Sequence, residues 1–273
     1  MQKQKEKISI SNWINSIQAR GKISFSLNDL REALKNNSEA SLKIALNRLS
    51  KKGNIISVHK GFYVIVPPQY SSRGILPPIL YMDGLMKFLH RPYYVGLLNA
   101  AAIYGAAHQQ PQEFFVVTNL PALRISNKKA IRINYVSIND INPKLLEERK
   151  TESGYVKISS PILTAADLIQ FEKRIGGLSR ASTVLNELAE EIDIKKISSE
   201  FYNTVPVAVI QRLGYILEHI IDKKDLAEEI FNQCKKKDLP FFRIPLKSGK
   251  KTKGYSSENR WNVIANDEIE FEE

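Results

Sequence analysis

Between Ser38 and Lys51 the sequence SEASLKIALNRLSK spaces Lys43, Asn47, Arg48 and Lys51 by three and four residues, the spacing of one helix face. Ser41 stands near the start of the same stretch, and the triplet His59-Lys60-Gly61 follows shortly after it. The chemistry open to such a set is recognition of a polyanion with base edges. Cations neutralise phosphates and reach guanine, an amide binds adenine, and the apolar surface of Ala40 and Ile44 suits a thymine methyl. The plainer alternative is a solvated helix face beside an ordinary basic turn.

The elements that must hold these residues are legible around them. Ser38 is a good N-cap, because its hydroxyl can accept from an otherwise unpaired first-turn amide. Leu42, Ala45, Leu46 and Leu49 form the apolar stripe behind the cationic face. Gly53 follows two lysines, as expected of a residue just past a helix end. Ile55, Ile56 and Val58 lead into the basic turn, and Phe62, Val64 and Val66 lead out, which predicts a hairpin. Upstream, Ile8–Ala19 reads as a helix with Ile10, Trp13, Ile14 and Ile17 as its stripe. Ser26-Leu27-Asn28-Asp29 resembles the capped start of a short helix ending near Leu34. Helix, short helix, longer helix and hairpin is the order of a winged helix-turn-helix. On that reading Ser41, Lys43, Asn47, Arg48 and Lys51 contact DNA from the recognition helix, and His59 and Lys60 from the wing tip.

The charge distribution agrees. The 273-residue chain carries a net charge of +11. Residues 1–70 hold twelve Lys/Arg against four Asp/Glu, a net of +8 that leaves only +3 for the rest. A basic module joined to a nearly neutral one suits a polyanion-binding module, double-stranded DNA on the winged-helix reading, with a separate regulatory or partner domain. A membrane surface would attract the same charge, but Ile8–Ala19 is too short and too poor in cations to anchor there. No apolar run approaches the roughly 18 residues of a membrane span. The terminus MQKQKEKISIS lacks the apolar core of a signal peptide. A single cysteine, Cys234, excludes an internal disulfide and any multi-cysteine metal site, which points to a reducing cytoplasm.

The expected architecture is α+β: an N-terminal winged helix-turn-helix domain over 1–68, a linker over 69–78 (QYSSRGILPP from Gln69 to Pro78), and a larger mixed α/β domain over 79–273. Residues 80–106 read as two helices broken near Arg91-Pro92, the second running from Tyr93 to Ala106. Glu113–Thr118, Ile131–Ile138 and Tyr155–Ile158 read as strands. Thr164-Ala165-Ala166-Asp167 reads as an N-terminal cap for a helix to about Arg174, with further helices at Leu178–Ile192, Val205–Ile221 and Asp225–Lys235. A late strand is expected at Phe241–Leu246, and Lys247–Lys253 (KSGKKTK) reads as a mobile surface loop.

A catalytic constellation is not evident. His59, His90, His108 and His219 fall on different elements, and none has a partner at metal-ligand spacing. There is no glycine-rich phosphate loop, and Gly176-Gly177 reads as a helix stop. Asp167 with Glu172 is a conceivable carboxylate pair, although capping explains Asp167 more simply. Glu258, Arg260 and Asp267 are polar enough for a site, but no spacing relates them. No catalytic residue, metal or cofactor is expected.

Tyr93-Tyr94-Val95-Gly96-Leu97-Leu98-Asn99-Ala100-Ala101-Ala102-Ile103-Tyr104-Gly105, with Gln110-Pro111 and the strand that follows, resembles the AbiEi antitoxin family. In that family an extended Tyr-Tyr segment opens a helix of the form L-x-A-A-x-x-x-G. Ser160-Pro161-Ile162-Leu163-Thr164-Ala165-Ala166-Asp167-Leu168 is similar to its S-P-x-x-T-x-x-D-L helix start, and Arg212-Leu213-Gly214-Tyr215-Ile216-Leu217-Glu218 to its R-L-G-Y-x-L-E segment. Leu46-Asn47-Arg48-Leu49, Lys52-Gly53 and Lys60-Gly61-Phe62-Tyr63 resemble its winged helix. The resemblance runs from about residue 8 to 220. It implies a repressor of its own operon that binds inverted-repeat operator DNA. It also implies a second domain needed to antagonise a co-encoded nucleotidyltransferase-like toxin, in a type IV scheme that needs no stable complex. The expected state is a monomer in solution, with two copies cooperating on DNA. At the family positions Tyr94, Ala100, Ala101, Gly105, Gly214 and Tyr215, packing is the simpler role. A winged-helix regulator whose second domain senses a ligand or mediates assembly stays open, as does a nucleic-acid-processing enzyme targeted by its basic domain.

Overall fold

The computed structural model describes residues 9–106, 111–128 and 131–270. Helix α1 (Ile10–Gln18) is capped by Ser9, whose hydroxyl accepts from the Asn12 amide at 3.1 Å, and it buries Ile10, Ile14 and Ile17. The expected start at Ile8 lies outside the described residues. Strand β1 (Ser24–Ser26) runs directly into α2 (Leu27–Ala33). A reciprocal capping box closes that start: the Asp29 amide donates to Ser26 Oγ at 3.0 Å, and the Ser26 amide donates to Asp29 Oδ2 at 2.7 Å. Helix α3 (Glu39–Lys51) begins at Ser38, which accepts from the Ser41 amide at 3.2 Å. Gly53, at φ +75°, then takes the left-handed conformation that turns the chain into β2 (Ile55–His59) and β3 (Phe62–Ile65).

These three strands form an antiparallel sheet in the order β1-β3-β2, with Ser24 opposite Val64 and Ile55 opposite Ile65. One apolar core joins the helices to it, built from Ile10, Ile14, Ile17, Phe25, Leu30, Leu34, Leu42, Leu46, Leu49, Ile55 and Ile65. Each such aliphatic side chain contributes about 1.5–3 kcal/mol by leaving water. The Trp13 ring meets Phe25 edge-on at 5.2 Å, and Phe25 stacks on Tyr63 at 5.4 Å.

Helix α4 (Pro78–Phe88) follows a stretch in which Ile75 and Leu76, within the expected linker, are buried. The next segment corrects the sequence reading. Tyr93–Val95 is a strand, β4, and the helix α5 occupies only Leu97–Ile103. Three consecutive bulky side chains with a glycine behind them suit a buried strand better than a helix start. Strands β5 (Glu113–Asn119), β6 (Ser126–Lys128), β7 (Ile131–Ile138), β8 (Leu146–Thr151) and β9 (Gly154–Ser159) complete a six-stranded mixed sheet of order β6-β7-β5-β4-β9-β8. β8, LEERKT, escapes the sequence reading because it is an edge strand whose charges discourage pairing with other chains.

Helices α6 (Pro161–Gln170), α7 (Glu172–Ile175), α8 (Leu178–Leu188), α9 (Ser199–Thr204), α10 (Val207–His219) and α11 (Lys224–Lys236) follow. The expected late strand shrinks to β10 (Ile244–Pro245), paired in parallel with β11 (Val263–Ile264). Gly176 and Gly177 end α7 with φ of +103° and +100°, as a helix stop requires. The whole is a mixed α+β protein in which two compact units can be distinguished. The first comprises Met1–Tyr93, Val116–Asn139 and Glu148–Lys157, and the second Tyr94–Phe115, Asp140–Glu147 and Ile158–Glu273. Among the described residues no helix is long and apolar enough to cross a membrane.

Candidate nucleic-acid interface

Helix α3 buries Leu42, Leu46 and Leu49, so its opposite face points away from the core. Ser41, Lys43, Asn47, Arg48 and Lys51 are all exposed on α3, with Ala40 and Ile44 between them. Ile44 is 70% exposed, the largest exposure among the described large apolar residues, yet it lies in the middle of the cationic face. Sequence reasoning placed Ile44 on this face but did not count it as a contact residue. Its signal was an aliphatic side chain one turn before Arg48 and outside the Leu42/Leu46/Leu49 stripe.

The side chains of Asn47, Arg48 and Lys51 make no hydrogen bond or ion pair among the described residues. Lys43 sits one turn after Glu39 and helps to hold that carboxylate ionised, but Glu39 is already committed. Arg31 of α2 grips it with two charge-assisted bonds, Nε to Oε1 at 2.7 Å and Nη2 to Oε2 at 2.9 Å. The Arg31 bond, and then its charge, keep the Glu39 carboxyl below its ordinary range. This exposed pair contributes little stability, but it links α2 to the first turn of α3. It also removes the one acidic group on the leading edge of the cationic face from competition with a phosphate.

The hairpin is tight. Lys60 and Gly61 form its turn, with Gly61 at φ +79°, and the β2–β3 register shifts between Ser57 and His59. Both His59 and Lys60 are exposed. The His59 ring is nonetheless held: its edge meets Phe88 of α4 at 6.0 Å, and Nδ1 lies 3.2 Å from the Lys60 carbonyl oxygen. Phe88 also covers Phe62 at 5.3 Å. Gly84 makes this close packing of α4 possible, since a Cβ there would stand 2.9 Å from Ser24 Oγ. The seven residues expected to meet DNA therefore fall on two elements of the first unit, α3 and the β2–β3 turn.

The other polar candidates do not assemble into one site. Asp167 lies inside α6, not at its start. Pro161 opens that helix, a position where its missing N–H costs nothing, and Ser160 precedes it. Fully buried, the Asp167 carboxyl accepts from Tyr94 Oη at 2.9 Å, and loss of hydration pushes its pKa up to about 7. Glu172 instead pairs with Lys247 at 2.7 Å. Arg260 binds Glu218 at 2.8 Å and also Glu228, Asp267 pairs with Lys250, and Glu258 is exposed. Among the described residues no group of His, Cys, Asp and Glu is arranged to hold a metal ion. His108 lies outside them.

In the second unit α10 acts as a rail for the chain that follows it. Gln211 Nε2 donates to the carbonyls of Phe242 at 2.8 Å and Trp261 at 2.6 Å, and Arg212 Nε donates to that of Pro245 at 2.9 Å. Glu218 Oε2 accepts from Trp261 Nε1 at 2.6 Å. Gly214 leaves room for the fully buried Trp261 indole, which a Cβ would approach within 2.2 Å. These positions, together with Tyr94 and Asp167, lie in the stretch that matches a known family: the model of the AbiEi antitoxin C-terminal domain matches residues 94–219. The chain carries an AbiEi antitoxin domain.

No curated protein matches the chain at a significant level. Among solved structures, the RV2827C protein from Mycobacterium tuberculosis has a similar fold, with a TM-score of 0.66 and 14% identity over 93% of this chain and 90% of that one. The match to the AbiEi antitoxin domain covers Tyr94, Asp167, Gln211, Arg212, Gly214 and Glu218, and each of these side chains or gaps holds another part of the second unit. In the AbiEi domain the expectation that Gly214 serves packing is met by a specific partner, Trp261, which lies beyond the matched stretch.

Proposed function

We propose that this protein is an antitoxin that represses its own operon, with residues 1–68 as a winged helix-turn-helix and the AbiEi domain as the part needed against the toxin. The observation that carries the DNA-binding half is the uncommitted face of α3, with Lys43, Ile44, Asn47, Arg48 and Lys51 turned outward beside a basic hairpin tip. The strand order β1-β3-β2 and the α1-β1-α2-α3-β2-β3 sequence of elements support the same reading. In this assignment α3 enters the major groove, Asn47 and Arg48 read base edges, Ile44 meets a thymine methyl, and Ser41, Lys43 and Lys51 position the helix on phosphates. His59 and Lys60 touch the backbone or the minor groove.

The toxin-directed half rests on the AbiEi match. The partner is a co-encoded nucleotidyltransferase-like toxin, antagonised under a type IV scheme without a stable complex. Two copies of the chain cooperate on inverted repeats. Residues 1–68 supply the DNA contacts and residues from about 79 onward the antagonism, and because Phe88 covers Phe62, a DNA-binding fragment should extend to the end of α4.

The test has two arms. Binding of Asn47→Ala and Arg48→Ala to the promoter region of the gene is measured at two salt concentrations, with a loss of about 1–3 kcal/mol of discrimination expected for a base-reading contact. Unchanged affinity in both variants would refute the α3 assignment. Co-expression with the neighbouring gene is scored for growth; failure of the intact chain to restore growth from a toxic neighbour would refute the antitoxin role.

A further inference from the structure

The stretch from Leu239 to Ser257 holds Arg243, Lys247, Lys250, Lys251 and Lys253 and no acidic residue. Its Lys247–Lys253 part reads from the sequence as a surface loop, and in the structure side chains distant in sequence hold its backbone. The buried Asn266 side chain donates through Nδ2 to the carbonyls of Lys247 at 3.0 Å and of Lys250 and Lys251 at 3.4 Å, and its Oδ1 accepts from the Lys247 amide at 3.0 Å. From the other side Arg212 holds the Pro245 carbonyl and reaches Ser248 Oγ at 3.2 Å, while Gln211 holds the Phe242 carbonyl.

With its backbone anchored, the segment turns two aromatic side chains outward. Phe242 is 65% exposed and Tyr255 48% exposed. Cations flank them. Arg243 follows Phe242 and donates through Nε to Ser257 Oγ at 2.9 Å, and Lys250 lies near enough to the Tyr255 phenol to feel it electrostatically. Lys247 and Lys250 are neutralised by Glu172 and Asp267, whereas Lys251 and Lys253 are exposed and have no acidic partner among the described residues. An exposed phenylalanine and an exposed tyrosine on a segment that carries cations and no acidic residue offer faces on which unpaired bases can stack.

We propose that this surface, with Phe242, Arg243, Lys251, Lys253 and Tyr255 as its contact residues, binds single-stranded nucleic acid. The aromatic rings stack on unpaired bases and the cations track the phosphates, which is the recurrent design of sequence-tolerant single-strand binding. Duplex DNA fits less well, because its bases are already stacked and only its charge is offered. An acidic protein would use the cations but not the stacking faces. The proposal does not depend on α3, and it adds a second nucleic-acid surface, in the second unit.

The experiment uses the full-length protein and a fluorescein-labelled oligouridylate of about 15 nucleotides, read by anisotropy, with oligothymidylate and a scrambled DNA duplex of equal length as further arms. The double variant Phe242→Ala/Tyr255→Ala leaves the charge unchanged and should weaken oligouridylate binding by about tenfold or more while duplex binding holds. Lys251→Ala/Lys253→Ala should lower the salt slope for the single strand by about 1.4 units, at roughly 0.7 per phosphate. Lys43→Ala/Lys51→Ala should do the reverse, sparing the single strand and weakening the duplex, so that failure of this surface is distinguishable from failure of the α3 reading. Tighter binding of oligouridylate than oligothymidylate would identify RNA as the ligand, and the reverse would identify DNA. Equal binding by the aromatic double variant and the parent, a parallel loss on duplex and single strand, or no oligonucleotide binding by the parent would each overturn the proposal. All substituted side chains are exposed, and thermal melting checks that the fold is retained.

Discussion

A methyl group at Gly214 should destabilise the protein more than most single substitutions, and the damage should be relieved by shrinking a residue 47 positions away. An ideal Cβ at Gly214 lies 2.2, 2.3 and 2.4 Å from Cη2, Cζ3 and Cζ2 of Trp261. Carbon atoms pack at about 3.5–4.0 Å, so the indole would have to retreat by more than about 1 Å. It has nowhere to go: the ring is fully buried, Phe231 stands against it edge-on at 5.3 Å, Phe241 stacks at 5.8 Å, and its Nε1 is tied to Glu218. Strain within a closed core costs about 1–3 kcal/mol. If the indole is expelled, the loss approaches the roughly 3–5 kcal/mol of a buried tryptophan deletion. Against this stands a gain of about 0.5–1 kcal/mol from replacing glycine by alanine inside a helix. Gly214→Ala should therefore cost about 2–4 kcal/mol, measured by urea unfolding followed by far-ultraviolet circular dichroism. Trp261→Leu should cost a comparable amount, and the double variant at least about 1 kcal/mol less than the two costs added together. Strict additivity, or a Gly214→Ala variant as stable as the parent, would show that this contact does not account for the glycine.

Three further outcomes follow from other parts of the structure. Asp167 has its folded-state pKa raised to about 7 by burial, so its contribution to stability is complete below the unfolded value of about 4 and is lost as pH rises to about 7, with a ceiling of about 4 kcal/mol. Asp167→Asn keeps an acceptor for the Tyr94 hydroxyl and should flatten stability between pH 5 and 8; an unaltered pH slope would mean the carboxyl is ionised throughout. Lys60→Ala should weaken binding to all duplex sequences alike and reduce the salt slope by about one unit, and a slope equal to the parent's would remove the wing tip from the phosphate contacts. Phe88→Ala removes the support of Phe62 and His59, and should speed amide exchange in β2 and β3 and lower promoter affinity severalfold while α3 stays protected; unchanged exchange would show that α4 does not hold the hairpin.

The amino-terminal helices could be read from the sequence because their determinants are local. Ser38 caps α3 three residues from its partner amide, Ser26 and Asp29 cap each other at the start of α2, and the Leu42/Leu46/Leu49 stripe repeats at the period of the helix it stabilises. The outward set from Ser41 to Lys51 follows automatically, since a helix that buries one stripe must expose the opposite one. The remaining features depend on partners distant in sequence. Tyr93–Val95 is extended because it enters a sheet whose other strands begin some twenty residues later, and local pattern could not separate that from a helix start. Asp167 is a buried acceptor and not a cap because Tyr94 stands over it, 73 residues away. The lysine-rich loop is tied to Asn266, which collects its carbonyls from beyond the next strand. Gly214 and Trp261 are two halves of one packing decision, invisible separately, because the energy of close packing depends on where two surfaces meet and not on what either residue prefers alone.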